Sequence, residues 1–329
     1  MNALSITIAT WDYDRVRALM DGRVRVEGCD IRHFSLAPEE CFHRAYAGEF
    51  DVAEIGFCSY LAAVARGSSP FVAIPVFTSR IFRHSAIYVR NDRGINAPGD
   101  LKGKRIGVPQ YEMAAAVWVR GFLKEDYGVA PKDISWHQGG LEISGRQSPI
   151  AITPPSGVSI ENIPAGKTLA AMLADCEIDG IITARSPSCF DAGHPKVRRL
   201  FKDSREVEQE YFRRTGHFPM MHVVGVRKRL AEEHPWLPAS LVKAFTEAKA
   251  IAQADLREVN ALKISLPWIV AETRATEELM GTDYWPYGVE ANRKTLATCA
   301  RYLLEQGITP HEVAVEQMFA ATTLKATKI

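Results

Sequence analysis

Segments with the alternation of a strand and segments with the spacing of a helix follow one another along most of this 329-residue chain, and that order restricts its fold more than any single motif. Residues 4–9 alternate as a strand, and residues 15–20 take helical spacing. Residues 39–47 are helical, with Cys41, Phe42, Ala45 and Tyr46 as their apolar positions. Residues 51–57 read as a buried strand, 59–66 as a short helix and 71–77 as a further strand. The pattern recurs: a turn and short strand over 101–109, an amphipathic helix over 113–125, a helix over 168–174 and a buried strand over 180–183. Alternation of this kind predicts an α/β protein.

Two pairs of segments look like copies. Gly48-Glu-Phe-Asp-Val52 and Cys176-Glu-Ile-Asp-Gly180 each close a helix and open a strand. Arg83-His-Ser-Ala-Ile-Tyr-Val-Arg90 and Met221-His-Val-Val-Gly-Val-Arg-Lys228 each set a histidine at the head of an alternating strand that ends in basic residues. These pairs point to two similarly built lobes, residues 1–92 with 217–329 and residues 93–216. On that division the two histidine strands are expected side by side at the hinge, with His84 and His222 facing the cleft. Residues 139–166 are rich in Gly, Pro and Ser and read as a surface loop. Further on, helices are expected over 239–262, 273–279, 289–306 and 313–321.

Forty basic side chains stand against thirty-nine acidic ones, whereas a nucleic-acid binder usually carries a basic excess or stripe. The six cysteines have no metal-type spacing and read as reduced, buried thiols. The first ten residues run into a strand without a secretory leader pattern, and no run approaches the roughly 18 apolar residues of a membrane helix. A cytoplasmic protein that binds neither nucleic acid nor membrane is expected; a homo-oligomer stays open.

Residues 77–90 are the richest in chemistry, because Arg80, Arg83 and His84 crowd together before a strand-like run. Guanidiniums can grip carboxylates bidentately, and an imidazole can move a proton near neutral pH. A site for a small polyanion is one reading; a solvated basic turn is the other. Arg185 follows a buried strand, at a carboxyl end where open α/β sheets bind ligands, though an exposed loop arginine fits as well. Ser59 lies where a strand ends and a helix opens, and helix N-termini attract anions; the turn from Gln110 offers the same from the second lobe. Asp12 and Tyr13 follow the first strand at the cleft edge, although Asp12 or Asp14 is expected to cap the next helix. Glu54 lies in a buried strand and needs a partner, an arginine of the site or a brace of the sheet. His33, His43, His137 and His217 read as structural. Trp285-Pro-Tyr-Gly288 either lines the cleft or caps the C-terminal helices. No Gly-rich phosphate loop or dinucleotide fingerprint appears.

The run Leu101-Lys-Gly-Lys-Arg-Ile-Gly-Val-Pro109, opening a second lobe, resembles type II periplasmic binding proteins of the nitrate, taurine and thiamine-precursor kind. Residues 9–15, 40–57, 82–90, 115–123, 184–190, 218–227 and 284–288 resemble the 4,5-dihydroxyphthalate decarboxylase family. One departure is Gln110-Tyr-Glu112, where an acid followed by an amide would be expected. The resemblance implies a two-lobed type II periplasmic-binding-protein-like α/β fold with a ligand cleft between lobes and a helical C-terminal part. It also implies a non-oxidative aromatic decarboxylase of phthalate catabolism, with no organic cofactor and a small aromatic dicarboxylate as substrate.

Direct loss of CO2 from such a ring would leave an unstable in-plane carbanion. Protonating the carboxylate-bearing carbon first avoids it. The site then needs cations for the carboxylates, an acid over the ring face and an acceptor at the catechol end. Arg80, Arg83 and Arg185 suit the carboxylates, with Tyr13, Ser59 and Gln110 as further substrate contacts. His222, His84 and Asp12 are the catalytic candidates. His222 is favoured as the acid, since Arg83 disfavours a protonated His84. Asp12, Glu54, His84 and His222 would suit a divalent ion, but no spacing demands one and none is expected. The rival readings are a solute-binding subunit of an ABC transporter and another cytoplasmic enzyme of this fold acting on a small aromatic or heterocyclic anion.

Overall fold

The computed structural model describes residues 3–145 and 152–325. In chain order its strands are β1 (Leu4–Thr10), β2 (Cys29–Ser35), β3 (Val52–Gly56), β4 (Phe71–Arg80), β5 (Ile87–Arg90), β6 (Arg105–Val108), β7 (Ser135–Gln138), β8 (Ile160–Asn162), β9 (Gly180–Ile182), β10 (Val197–Arg199) and β11 (Met220–Arg227). They form a five-stranded sheet ordered β2-β1-β3-β11-β4 and a six-stranded sheet ordered β10-β5-β9-β6-β7-β8. The cores of both sheets are parallel, but β11 runs antiparallel to β3 and β4, and β5 runs antiparallel to β9 and β10. Parallel strands require crossovers that cover both faces of a sheet. Accordingly β3 and β9 are apolar and buried almost throughout.

The chain enters the second sheet between β4 and β5 and returns between β10 and β11. β5 and β11 are thus the strands laid down after each crossing, in corresponding places of different sheets. This corrects the expected pairing of residues 83–90 with 221–228. Their likeness reflects equivalent positions, and the neighbours of β11 are β3 and β4. Nor is residue 84 in a strand, since His84–Ala86 forms a 3-10 turn before β5.

The two five-residue copies do the same work in each sheet. Asp51, just before β3, accepts the N–H and hydroxyl of Thr7 in β1, each at 2.8 Å. Asp179, just before β9, accepts the N–H of Arg105 in β6 at 2.9 Å. The helix before each pair ends in a left-handed residue, Gly48 at φ 100° and Cys176 at φ 68°. Glycine takes that conformation freely, whereas a residue with a Cβ does so under strain.

Helices Asp14–Met20 and Leu237–Leu256 cover one face of the first sheet, burying Val16, Leu19, Leu241 and Phe245 against Ile8, Ile74 and Val224. Helices Pro38–Tyr46 and Phe57–Ala65 belong to the other core, which also holds helix Ala114–Tyr127 of the second sheet. Pro75 lacks an N–H to donate, and β4 slips register against β11 between Ile74 and Ser79. The carbonyls left over are claimed by the Gly288 N–H, the Trp285 indole and Arg15. Trp285 therefore braces this bulge. The expected helix over 313–321 is replaced by two 3-10 turns around Phe319, which bridges to Ala73 while the Ala320 N–H reaches the Ala73 carbonyl. β4 is an edge strand with groups to satisfy, so this segment stays extended to cover it. Among the described residues no helix is long and apolar enough to cross a membrane.

A Cβ at Gly180 would stand 2.8 Å from the Tyr88 carbonyl oxygen in β5. Gly180→Ala is expected to lower stability by about 1–3 kcal/mol, seen as a reduced urea midpoint with unchanged slope. An unchanged midpoint would mean that β5 and β9 are not packed this closely.

Candidate active site

A cavity of about 910 Å3 is lined by residues from both sheets. Gly56, Cys58 and Ser59 come from the end of β3 and the start of helix Phe57–Ala65. Gln110, Met113, Ala114 and Ala115 come from the turn after β6 and the start of helix Ala114–Tyr127, while Ala184 and Arg185 follow β9. These are carboxyl ends of parallel strands, where open sheets place ligands. The N-caps of both helices, Gly56 and Met113, offer no side-chain acceptor to the first-turn N–H groups. Two positive helix ends are thereby directed to one cavity from opposite lobes.

His222 reaches the cavity from β11. Its strand lies beside β3 with Val224 opposite Glu54 and His222 opposite Gly56. Positions two apart share a sheet face, so His222 stands diagonal to Glu54. The register with β4 shifts on both sides of His222, an irregularity of the kind that re-aims a side chain. His222 donates from Nδ1 to Glu54 Oε1 at 2.6 Å. Glu54 is fully buried and also accepts the Trp11 N–H at 2.9 Å and the Tyr13 hydroxyl at 2.7 Å. Burial by itself pushes this carboxyl up. The hydrogen bond and charge of His222, with the Trp11 and Tyr13 donors, outweigh it and hold the group below its ordinary value. An ionised carboxylate only accepts, so the proton lies on Nδ1 and Nε2 is left for the cavity that the ring lines. Phe42 meets the ring edge-on at 4.9 Å.

Arg83 turns into the same space. Among the described residues its hydrogen bonds go to the Met221 sulfur at 3.3 Å and the Ala184 carbonyl at 3.4 Å, neither of them ionised. Burial pushes its pKa down to about 10, which leaves it charged at neutral pH. Arg185 pairs with Glu39 at 2.7 Å, joining the loop after β9 to helix Pro38–Tyr46 across the cleft. Arg66 lines the cavity from the far end of helix Phe57–Ala65 and donates to the Ala62 and Ile308 carbonyls.

Of the residues singled out in the sequence, Arg83, Arg185, Ser59, Gln110 and His222 line the cavity, and Tyr13 lies behind His222 on Glu54. Tyr13 is therefore not the expected substrate contact, and three others do not come to the cavity. Arg80 is 5% exposed and ties the end of β4 to the Phe218 and Pro286 carbonyls and the Asn292 side chain. Burial pushes its pKa down to about 9, and its donors are engaged in holding backbone together. His84 is 1% exposed and stacks on Phe122 at 4.0 Å, with Phe201 and Tyr211 around it. Burial, helped by Arg214, pushes its pKa down to about 4, so the ring is neutral in an aromatic nest. Asp12 pairs with Arg17 on the surface, and neither it nor Asp14 caps the next helix, whose N-cap is Tyr13. The metal set considered from the sequence therefore does not assemble; among the described residues no group of three or more His, Cys, Asp or Glu could hold an ion.

Sequence reasoning missed one wall. Glu39, Phe42, His43 and Tyr46 face the cavity from a single helix, at the i, i+3, i+4, i+7 spacing of one helical face. Cys41 and Ala45, grouped with Phe42 and Tyr46 in the sequence, are the residues that turn into the core.

A family model described as the periplasmic substrate-binding protein of a phosphonate ABC transporter matches residues 29–147. The periplasmic aliphatic sulphonate binding protein of Escherichia coli superimposes with a TM-score of 0.54 at 14% identity, covering 98% of this chain and 99% of that one. The fold is thus the two-lobed one of periplasmic binding proteins. The 4,5-dihydroxyphthalate decarboxylase of Comamonas testosteroni is 46% identical over 330 residues, with both chains covered completely. The chain belongs to the 4,5-dihydroxyphthalate decarboxylase family. A second member, from Pseudomonas putida, is 47% identical over 214 residues, 65% of this chain and 83% of that one.

Glu54→Gln is expected to lower stability by about 1–3 kcal/mol at neutral pH, because a charged acceptor of three donors is lost. The folded value of Glu54 lies below its ordinary 4.5, so its contribution is fully present above 4.5 and is lost as pH falls through the lowered value. Urea midpoints of the two proteins should therefore converge on acidification. A gap that stays constant into acid would show that the Glu54–His222 pair carries no pH-linked stability.

Proposed function

We propose that this chain removes one carboxylate of 4,5-dihydroxyphthalate as CO2, without oxidation, and releases 3,4-dihydroxybenzoate, a step of phthalate catabolism. The observation that carries this reading is His222, fixed on a buried carboxylate at Nδ1 and open to a cation-lined cavity at Nε2. A binding pocket alone has no use for such a pair. The relatives' name supplies the substrate.

The substrate enters as a dianion. Arg83, with no ionised hydrogen-bond partner among the described residues, grips one carboxylate, and the two helix starts with Ser59 and Gln110 receive the other. His222 lies over the face of the ring and gives its Nε2 proton to the carbon that bears the departing carboxylate. Glu54 stabilises the imidazolium before transfer and keeps the ring aimed, and Tyr13 holds Glu54 in turn. The para hydroxyl loses its proton as the dienone forms. The carbon–carboxylate bond then breaks, its electrons return to the ring and aromaticity is restored. One proton is consumed overall, and His222 is recharged from solvent. We divide the lobes near the crossings: residues 1–80 with 217–329, and 87–216, since β5 pairs in the second sheet.

Incubation with 4,5-dihydroxyphthalate, with and without chelator, should yield CO2 and 3,4-dihydroxybenzoate in equal amounts either way. Binding without turnover would place the chain with the solute-binding proteins whose fold it shares, and loss on chelation would add a metal to the site. His222→Ala should reduce turnover by on the order of 10²–10⁴-fold while sparing affinity. Arg83→Ala should instead weaken substrate binding by roughly 10–100-fold, the worth of a charge-assisted hydrogen bond. Near-normal turnover in His222→Ala would overturn the assignment of the acid.

A further inference from the structure

The reaction needs an acceptor at the catechol end, and Asp12, the one carboxylate among the catalytic candidates of the sequence, lies outside the cavity with Arg17. We infer that Glu39 is the carboxylate that receives the para hydroxyl of the substrate and takes its proton when the ring carbon is protonated. This rests on the decarboxylation proposed above.

Three features support it. Glu39 is the one carboxylate among the described residues lining the cavity. It shares a helix face with Phe42, whose ring touches the edge of His222, so acid and acceptor belong to one compartment. Arg185 pairs with it at 2.7 Å from the other side of the cleft, which directs its carboxylate across the cavity mouth.

Charge then sorts the two ends of the substrate. A dianion is drawn to Arg83 and the helix starts, while the Glu39–Arg185 pair leaves its own end without net positive charge, so the hydroxyls are the groups turned to Glu39. This also revises the expected role of Arg185, whose charge is already matched by Glu39 and which serves to steady the acceptor. The strength of the acceptor suffices. Once His222 has protonated the ring carbon, the para O–H belongs to a cationic ring and is far more acidic than a phenol, so a carboxylate removes its proton readily. The O–H electron pair becomes the dienone carbonyl. After CO2 leaves, Glu39 returns the same proton to the oxygen, and the carboxylate is regenerated with no other reactant.

The test compares affinity for two probes, 4,5-dihydroxyphthalate and phthalate, which has the carboxylates but no hydroxyls, in the native protein, Glu39→Gln, Arg185→Gln and His43→Gln. In Glu39→Gln, binding of 4,5-dihydroxyphthalate should weaken by about 10-fold and kcat should fall by about 10²-fold. Phthalate should bind as well as before or more tightly, because the charge of Arg185 is no longer matched. Arg185→Gln breaks the same ion pair but should keep the preference for the hydroxylated probe. If Glu39→Gln weakens both probes equally, the pair is only a latch between lobes and the inference fails. If the preference disappears in His43→Gln and survives in Glu39→Gln, the acceptor is His43 and the inference fails equally. A native protein that binds both probes without turnover would sink the decarboxylation, while the hydroxyl preference would still report on Glu39.

Discussion

Glu54 joins three parts of the chain that are distant in sequence: Trp11 and Tyr13 after β1, its own strand β3, and His222 on β11. A carboxylate with no solvent contact is tolerable only when donors surround it. That requirement holds β11 beside β3 at the level where His222 points outward. The orientation of the histidine, and with it one part of the cavity wall, is therefore set by one buried charge. Were the pair absent, β11 would still add to the sheet through its apolar residues, but nothing would orient the imidazole.

The cavity divides electrostatically around this pair. Helix starts and Arg83 make one side anion-seeking, and the Glu39–Arg185 pair closes the other across the cleft. The same architecture serves binding proteins such as the sulphonate-binding relative in fold. In a binding protein, cations at helix starts complete the task. Here a histidine held on a buried carboxylate stands among them, and the proposed chemistry grows from that addition rather than from a new fold.

Several elements could be read locally. Strands 4–9 and 51–57 and helices 15–20 and 39–47 appear within a residue or two of their expected places, because burial on both faces leaves an apolar run and one-sided burial leaves a period. The copies around Asp51 and Asp179 were visible too, and each caps a neighbouring strand. The segment over 313–321 was not, since its conformation answers to the open edge of β4 and not to its own spacing. Among site residues, Arg83 and His84 are adjacent in sequence and look alike in promise. Only packing separates them: the turn sends one guanidinium to the cavity and one imidazole beneath Phe122.

The sequence by itself determined an α/β chain of two lobes, and it named Arg83, Arg185, Ser59, Gln110 and His222, which come to one cavity. Those features depend on residue type, local spacing and nearest neighbours, which a linear reading retains. The tertiary structure alone decided that His222 rests on Glu54, that Arg80, His84 and Asp12 are turned elsewhere, and that Glu39 faces the ligand space. Each of these turns on which strand lies next to which, and on which side of a helix meets another lobe. Contacts between residues distant in the sequence, such as Glu54 with His222 and Glu39 with Arg185, leave no period from which to infer them.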